Sequence, residues 1–415
     1  MTIALDTKTV KTLISPLGAS PLVKALYKVQ YQKSLLSLYQ LRGRLYEDSP
    51  SLLRTANFAE AFAELGNLPV STQEAVISYP SFNFWLDVGW ELIRQQVHSQ
   101  SDSSRMKLHL LDFGSFVLAA KLMAGFGEYE CPVKADAQGR VVLPGTGVYF
   151  ESGDIVPNQQ VYVRTSGGNI SARSTGQFNN TLRIRRCAVP MLKAGIEFNP
   201  IDTHLRLPDH STFEYENLTL MEFIRWLNLL NSAWKWVEEQ DTALTTEMKM
   251  ILRAVVPVKR ADKHIHTSGS FKEAPGLIAL SWDDDVPVLA EALVHEYHHQ
   301  KLNALLNLDR LIEGPTFEAI YPSPWRKDAR PLLGILHGVY TFQAVLRFWI
   351  KLLATKEVES YKTPIRKRTH TLHSQLLTAL ATLQEYAIWS PLGEAFFEAI
   401  REAVVELGCY LPEAR

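Results

Sequence analysis

Cysteine is scarce in this chain of 415 residues: only three occur, and no two of them form a CxxC pair. So sparse and odd a count disfavours a disulfide framework or a cysteine-rich zinc site, and is typical of reduced thiols in the cytoplasm. An excess of charge is also missing, because 43 Lys and Arg nearly balance 44 Asp and Glu, for a formal net charge of −1. Non-specific nucleic-acid binding needs a basic surface, so nucleic acid is not expected as a partner.

Long hydrophobic runs are absent as well. The longest apolar stretch lies near Phe113–Phe126 and is interrupted by Lys121, which makes it too short to span a bilayer. The first residues do not combine a charged segment with an apolar run, so they do not resemble a signal peptide. We therefore expect a cytoplasmic protein with no membrane partner. At 46% hydrophobic residues, the chain can bury a sizeable core, which excludes a wholly disordered protein.

Three regions differ in pattern along the chain. Apolar residues at three- and four-residue spacing predict an N-terminal helical region, 1–125. Residues 126–215 are richer in Gly, Asn, Ser and Thr, and their short alternating runs predict strands joined by tight turns. Helical periodicity returns in 216–415, interrupted by a strand-like run at Pro275–Trp282. The sequence therefore predicts an α+β fold that is mainly helical, with a β-rich middle segment.

The predicted elements of the last two regions can be bounded. The predicted strands are Arg140–Leu143, Gly147–Glu151, Gln160–Arg164, Asn169–Ser174 and Thr181–Ala188. The predicted helices are Leu218–Glu238, Thr242–Val255, Val288–Leu308 and Pro331–Ala354, followed by a helical C-terminal part, His370–Gly408. Pro257 is expected to end the helical run before it.

The strongest chemical signal is an HExxH motif, residues 295–299, within the predicted helix Val288–Leu308. Residues four apart lie on one face of a helix, so the imidazoles of His295 and His299 can hold one metal ion. Glu296 lies beside that face, where it would be the general base of a metalloprotease. The sequence therefore predicts a metal site on this helix, with Glu296 as a catalytic candidate.

Two imidazoles do not complete a metal site, and the third ligand is open from the residues alone. The extended form HExxHxxGxxH is absent, because Leu302 and Leu305 stand where Gly and His are needed. One candidate is Glu318, whose spacing suits a zinc peptidase, although it lies among prolines. The other is His337, in the second long helix, which could pack against the first.

Separated motifs in this part of the chain resemble one known family, the HExxH-motif peptide-modification domain. This domain occurs beside radical-SAM and other maturation enzymes of ribosomally made peptides, and is viewed as a 2-oxoglutarate- and Fe(II)-dependent peptide β-hydroxylase. The resemblance covers roughly Lys259–Trp349 and leaves the helical N-terminal region and the β-rich segment unassigned. The similar stretches are Leu293–Leu306, Pro324–Pro331, Leu336–Tyr340, Thr267–Ser270 and Pro275–Ala279.

The resemblance implies that His295, His299 and His337 hold Fe(II), in a three-histidine variant of the facial triad. The remaining positions would accept 2-oxoglutarate and O₂, and the substrate would be a precursor peptide hydroxylated at a side-chain β-carbon. In such an enzyme Glu296 need not be a base and can instead orient a ligand or a water.

The far carboxylate of 2-oxoglutarate needs a cation, for which arginine is favoured because its fork matches a carboxylate. Arg330 is the preferred candidate, seven residues before His337, and Arg347 is the second. Ser268 and Ser270 could supply hydroxyl donors to the co-substrate or the peptide. His264 and His266 form a second conceivable metal pair without a third ligand nearby.

Two other functions compete with the oxygenase. In a zinc metallopeptidase, Glu318 would complete the ligand set and Glu296 would be indispensable as the base. In a non-enzymatic binding module, the histidines would be structural, and the β-rich segment would bind a peptide by strand addition.

Overall fold

The computed structural model describes most of the chain and confirms a mainly helical α+β fold with a β-rich middle segment. The described residues are 7–15, 21–95, 102–125, 127–167, 169–174, 181–205, 213–262, 266–314, 318, 320–355 and 361–412. The helices are α1 (Thr7–Ile14), α2 (Pro21–Asp48), α3 (Pro50–Thr55), α4 (Phe58–Gly66), α5 (Val70–Ile77), α6 (Pro80–Gln95), α7 (Asp102–Leu111), α8 (Phe113–Ala124), α9 (Leu220–Gln240), α10 (Thr242–Ile251), α11 (Val286–Leu306), α12 (Leu332–Leu353), α13 (Lys362–Tyr386) and α14 (Pro391–Gly408).

The strands form four small sheets. They are β1 (Tyr129–Lys134), β2 (Arg140–Leu143), β3 (Val148–Glu151), β4 (Gln160–Ser166), β5 (Asn169–Ser174), β6 (Thr181–Leu182), β7 (Arg185–Ala188), β8 (Glu197–Phe198), β9 (Ala254–Val258), β10 (Ser268–Ser270), β11 (Leu277–Ser281), β12 (Ile312–Glu313) and β13 (Ile388–Trp389). Two of the sheets, with strand orders β1-β4-β5-β6 and β2-β3-β7, make up the middle segment. The sequence prediction of one strand over Thr181–Ala188 was wrong, because this stretch splits into β6 and β7, which join different sheets.

A mixed sheet with the order β10-β11-β9-β8 supports the HExxH helix. Strands β8, β9 and β11 are parallel, and β10 runs antiparallel to β11 at one edge. Every residue of β9 and β11 is buried, as expected for inner strands that are covered on both faces. The sheet therefore places one short edge strand, β10, next to α11.

The predicted helix Thr242–Val255 was wrong in its last four residues. Helix α10 ends at Ile251, and β9 contains Pro257. A proline inside a strand normally argues against an inner position, because it cannot donate to the ladder. Here the carbonyl of Pro257 accepts a bond from the Glu216 N–H on the side of β8, where β8 has already ended. The nitrogen of Pro257 points to this same side, where no residue of β8 could accept a bond from it, so the sheet loses no hydrogen bond.

The HExxH helix and the second histidine helix pack against each other, as the sequence predicted. Pro287 lies in the first turn of α11, where its missing N–H costs no helical bond. Helix α11 is apolar on most sides and largely buried, because it packs against α9, α12 and the mixed sheet. The C-terminal part is two helices, α13 and α14, separated by β13. The hydroxyl of Ser390 caps α14 by accepting from the Gly393 N–H.

Two large apolar cores cross the predicted region boundaries. One core joins α9–α14 to α1 and the beginning of α2, including Val10 and Leu13. The other joins the remaining N-terminal helices to the β-rich segment, with Phe113 and Val163 among its members. The Tyr340 hydroxyl on α12 donates to the Leu13 carbonyl at 2.7 Å, so the end of α1 lies against the back of the second histidine helix.

A buried ion pair lies beneath α11. The Lys301 ammonium is 2.7 Å from the Glu247 carboxylate on α10, and both side chains are almost fully buried. The Tyr297 hydroxyl donates to the same carboxylate at 3.0 Å. Within the described part of the chain, no helix is both long and apolar enough to cross a membrane.

Candidate metal site and adjoining cavity

Three histidines from α11 and α12 meet at one end of a cavity. On α11, Nε2 of His295 and Nε2 of His299 are 3.1 Å apart. Nδ1 of His299 is also 3.0 Å from Nδ1 of His337 on α12. These are the three residues that the resemblance assigned as metal ligands, and the packing of the two helices brings them together.

The pair on α11 fits a shared metal ion. Two nitrogens bound at about 2.1 Å and at right angles on one ion lie about 3.0 Å apart, close to the spacing of the two Nε2 atoms. In His299, however, Nε2 lies next to His295 whereas Nδ1 lies next to His337, and a single ion can bind only one of these two nitrogens. Accordingly, no three His, Cys, Asp or Glu side chains among the described residues converge on a common point. A three-histidine site therefore requires the His337 ring to turn toward the Nε2 pair.

The environment keeps these imidazoles neutral, which is the form that binds metals. Burial lowers the pKa of His295 to about 4, with a further contribution from the Arg368 guanidinium. Burial also lowers the pKa of His337 to about 4. The pKa of His299 is lowered further by burial and by its histidine neighbours. Nδ1 of His295 is buried and has no hydrogen-bond partner among the described residues.

Glu296 does not point into open space. It is buried, and its carboxylate accepts a hydrogen bond from the Ser268 hydroxyl at 2.7 Å. Burial raises the pKa of Glu296 to about 7, and hydrogen bonds from the hydroxyls of Ser268 and Ser270 oppose that rise. The two serines predicted to donate to the co-substrate or the peptide bond Glu296 in this structure, and they tie edge strand β10 to the HExxH helix.

The similar motifs in the chain also contact one another. An ideal Cβ on Gly338 would come within 2.5 Å of the Trp325 ring, so only glycine allows this close approach beside His337. Trp325 stacks on Phe342 at 5.0 Å between ring centroids. Phe342 in turn lies 4.6 Å from the His295 ring. The tryptophan of the PWRKDARP stretch therefore supports the aromatic wall beside the histidines.

A cavity of about 510 Å³ opens beside His295. Its walls come from α11, α12, α13 and the residues around β10, and most of the lining is apolar or aromatic. The lining residues are His266, Ser268, Asp285, Pro287, Val288, Glu291, Ala292, His295, Phe342, Trp349, Tyr361, Pro364, Ile365 and Arg368. Its volume suits a small organic molecule together with a side chain of a larger substrate.

Arg368 on α13 is the cation in this cavity, and sequence reasoning missed it. Its guanidinium pairs with Glu291, one turn before His295 on α11. The Trp349 indole N–H donates to the same Glu291 carboxylate at 2.7 Å. Arg368 has no recognisable motif around it and lies 69 residues after His299, so only the packing of α13 against α12 reveals it.

The two arginines predicted to bind 2-oxoglutarate lie elsewhere. Arg330 is partly exposed and pairs with Asp328 at 3.4 Å, outside the cavity lining. Arg347 is partly buried on another side of α12, where it donates to the Ile14 carbonyl and to Gln343. Burial lowers its pKa. Neither guanidinium contacts the three histidines in the described structure.

The remaining candidates are also dispersed. Glu318 is exposed in an irregular segment, whereas the three histidines are only partly exposed. His266 lines the cavity, with its Nδ1 3.3 Å from the Ser281 hydroxyl. His264, the other member of the predicted HxH pair, lies outside the described residues.

No protein-family model matches this chain, and no curated protein matches it.

Proposed function

We propose that this protein is an Fe(II)- and 2-oxoglutarate-dependent oxygenase that hydroxylates a side-chain β-carbon of a ribosomally synthesised precursor peptide. The observation that carries the proposal is the contact of His337 with His299 of the HExxH motif, at the end of a cavity that contains an arginine. A histidine from a second helix agrees with the three-histidine ligand set that the resemblance implies for the oxygenase, whereas the peptidase alternative needs Glu318 as its third ligand.

In this proposal His295, His299 and His337 would hold the iron. When bound, Fe(II) and 2-oxoglutarate supply the activation of O₂. Arg368 would hold the far carboxylate of 2-oxoglutarate, because its guanidinium has several donors and lies beside His295 in the cavity. The apolar and aromatic walls, including Phe342 and Ile365, would exclude water from the reacting atoms.

Glu296 would be a positioning residue in this proposal. Its carboxylate bonds the two serines of β10, which leaves it engaged on the sheet side of α11. A peptidase would need this carboxylate free to take a proton from a water molecule. It would also need a third ligand, for which the exposed Glu318 is poorly placed.

Replacing Arg368 with glutamine is expected to weaken the binding of 2-oxoglutarate on the order of 10- to 100-fold, because a charge-assisted hydrogen bond contributes about 1.5–3 kcal/mol. The measurement is an anaerobic titration of the Fe(II)-loaded protein with 2-oxoglutarate, followed by the weak visible charge-transfer band of the chelated co-substrate. Arg330→Gln is the matched control and should leave the titration unchanged. A normal titration for Arg368→Gln, or loss of affinity in Arg330→Gln, would contradict the assignment.

Replacing Glu296 with glutamine distinguishes the oxygenase from the zinc peptidase. The amide is similar in shape and can still bond Ser268 and Ser270, so the charge-transfer band should persist, with the affinity for 2-oxoglutarate changed less than about 10-fold. Should the wild-type chain instead hold Zn²⁺, cleave peptides and lose cleavage entirely in Glu296→Gln, the peptidase would be the correct function. Peptide cleavage and the absorption band are measured on the same preparations.

A further inference from the structure

We infer that the peptide substrate binds as an additional β-strand along the outer edge of β10. This inference rests on the proposed function, which makes a peptide the substrate, and it adds how the protein recognises that peptide. It relocates strand addition from the β-rich segment, where composition alone suggested it, to the strand beside the histidines.

The hydrogen-bonding pattern of β10 leaves one side of the strand open. Among the described strands, β10 pairs with β11 only, in an antiparallel register that sets Ser268 opposite Leu280 and Ser270 opposite Ile278. The preceding Thr267 carbonyl accepts from the Ser281 N–H at 2.7 Å, so Thr267 faces β11. Because such facing alternates along an antiparallel pair, Gly269 also faces β11, and the backbone groups of Ser268 and Ser270 point outward.

These outward groups are available to a ligand. All three residues of β10 are partly exposed. No described residue forms a backbone hydrogen bond with the outward N–H or C=O groups of Ser268 and Ser270. An unpaired strand edge is a template for another extended chain, which gains main-chain hydrogen bonds at every second residue.

The strand is held at a fixed position relative to the histidines. The hydroxyls of Ser268 and Ser270 bond Glu296, which is the neighbour of His295 on α11. The other face of β10 is closed, because an ideal Cβ on Gly269 would come within 2.5 Å of the Phe213 ring. A peptide on this edge would therefore lie at the mouth of the cavity that Ser268 and His295 line together.

This geometry also indicates what kind of peptide fits. Alternate side chains of an added strand point to opposite sides, so one side chain enters the cavity while its neighbours face away. The walls at this mouth, which include Val288, Phe342 and Ile365, suit an apolar side chain. The backbone bonds would align the peptide without reading its sequence, and the cavity would select the residue that is presented to the iron.

The test compares Ser270→Pro with Ser270→Ala in the full-length chain. Both variants lose the hydroxyl, but only proline also removes the outward N–H, which is not needed for pairing with β11. The probe is a peptide enriched from a random mRNA-displayed library on the immobilised wild-type protein, without iron or 2-oxoglutarate. Its binding, measured by fluorescence anisotropy, should fall at least about 10-fold more in Ser270→Pro than in Ser270→Ala, because a buried backbone acceptor loses its partner.

A second measurement does not depend on the folding of any variant. Single N-methylation along the same peptide removes one backbone donor at a time, and on the wild-type protein it should weaken binding at every second position. Equal binding to the two Ser270 variants, a methylation pattern without a two-residue period, or a library that yields no binder would overturn strand addition. Because these assays need no turnover, such a result with a normal charge-transfer band would leave the oxygenase proposal standing. Period-two binding without the band would instead overturn the oxygenase alone.

Discussion

Replacing His299 with alanine should abolish the charge-transfer band of the Fe(II)–2-oxoglutarate complex and weaken Fe(II) binding by more than about 100-fold. Loss of a residue that only supports a metal ligand weakens metal binding by at most about 100-fold, and loss of a ligand itself should cost more. His299 is the central residue of the cluster, since it contacts both His295 and His337. Its removal therefore leaves two imidazoles on different helices without the one that links them. The measurement is anaerobic equilibrium dialysis of Fe(II) together with the visible spectrum.

His370→Ala is the control for this experiment. His370 lies on α13, and its ring contacts the Pro412 carbonyl at 2.7 Å, outside the cavity lining. It should bind Fe(II) normally. Fe(II) binding that is undiminished in His299→Ala would show that the cluster is not the metal site, and the histidines would then be structural.

Replacing Glu247 with leucine should destabilise the protein by about 3–5 kcal/mol, because the Lys301 ammonium would remain buried without its carboxylate partner. The Tyr297 hydroxyl would lose its acceptor at the same time. The pair joins α10 to the helix that carries the histidines, so the lost stability should appear as a lower midpoint in urea unfolding. Lys235→Ala breaks an exposed pair with Glu239 and should cost no more than about 1 kcal/mol.

The double variant Glu247→Leu/Lys301→Met separates charge burial from a loss of packing. Removing both charges while keeping similar volume should recover most of the stability, since a buried ion pair often adds little over apolar residues. If the double variant is as unstable as Glu247→Leu, the pair contributes through shape rather than through charge compensation.

The parts of the site that the sequence predicted belong to elements with strong local signals. Helix α11 has many apolar residues and a proline in its first turn, and α12 is long and apolar, so both helices could be expected. The HExxH spacing fixes His295 and His299 on one face regardless of the rest of the fold. These features depend on residues at most a few turns apart.

The parts that were missed depend on contacts between distant segments. Arg368 reaches the cavity only because α13 packs along α12, and nothing near it in the sequence marks it as functional. Arg330 and Arg347 were chosen by their spacing from His337, but spacing along one helix does not reveal which neighbouring element each side faces. Pro257 was predicted to end a helix, but it lies within strand β9. A strand tolerates proline there only because the neighbouring strand β8 ends before it, and the sequence does not show where β8 ends.

Helix α1 packs against α12, so the histidine site depends on the first helix as well as on the helices of residues 216–415. At the end of α1, the Leu13 carbonyl accepts a hydrogen bond from the Tyr340 hydroxyl, and the Ile14 carbonyl accepts one from the Arg347 guanidinium. Both donors lie on the helix that carries His337. A fragment that keeps only residues 216–415 would expose that side of its core and take the Ile14 carbonyl away from the Arg347 guanidinium, which would keep its bond to Gln343. In evolutionary terms, we expect the two histidine-bearing helices and the first helix to vary together, so that the histidine site would be inherited with α1 rather than exchanged as residues 216–415 alone.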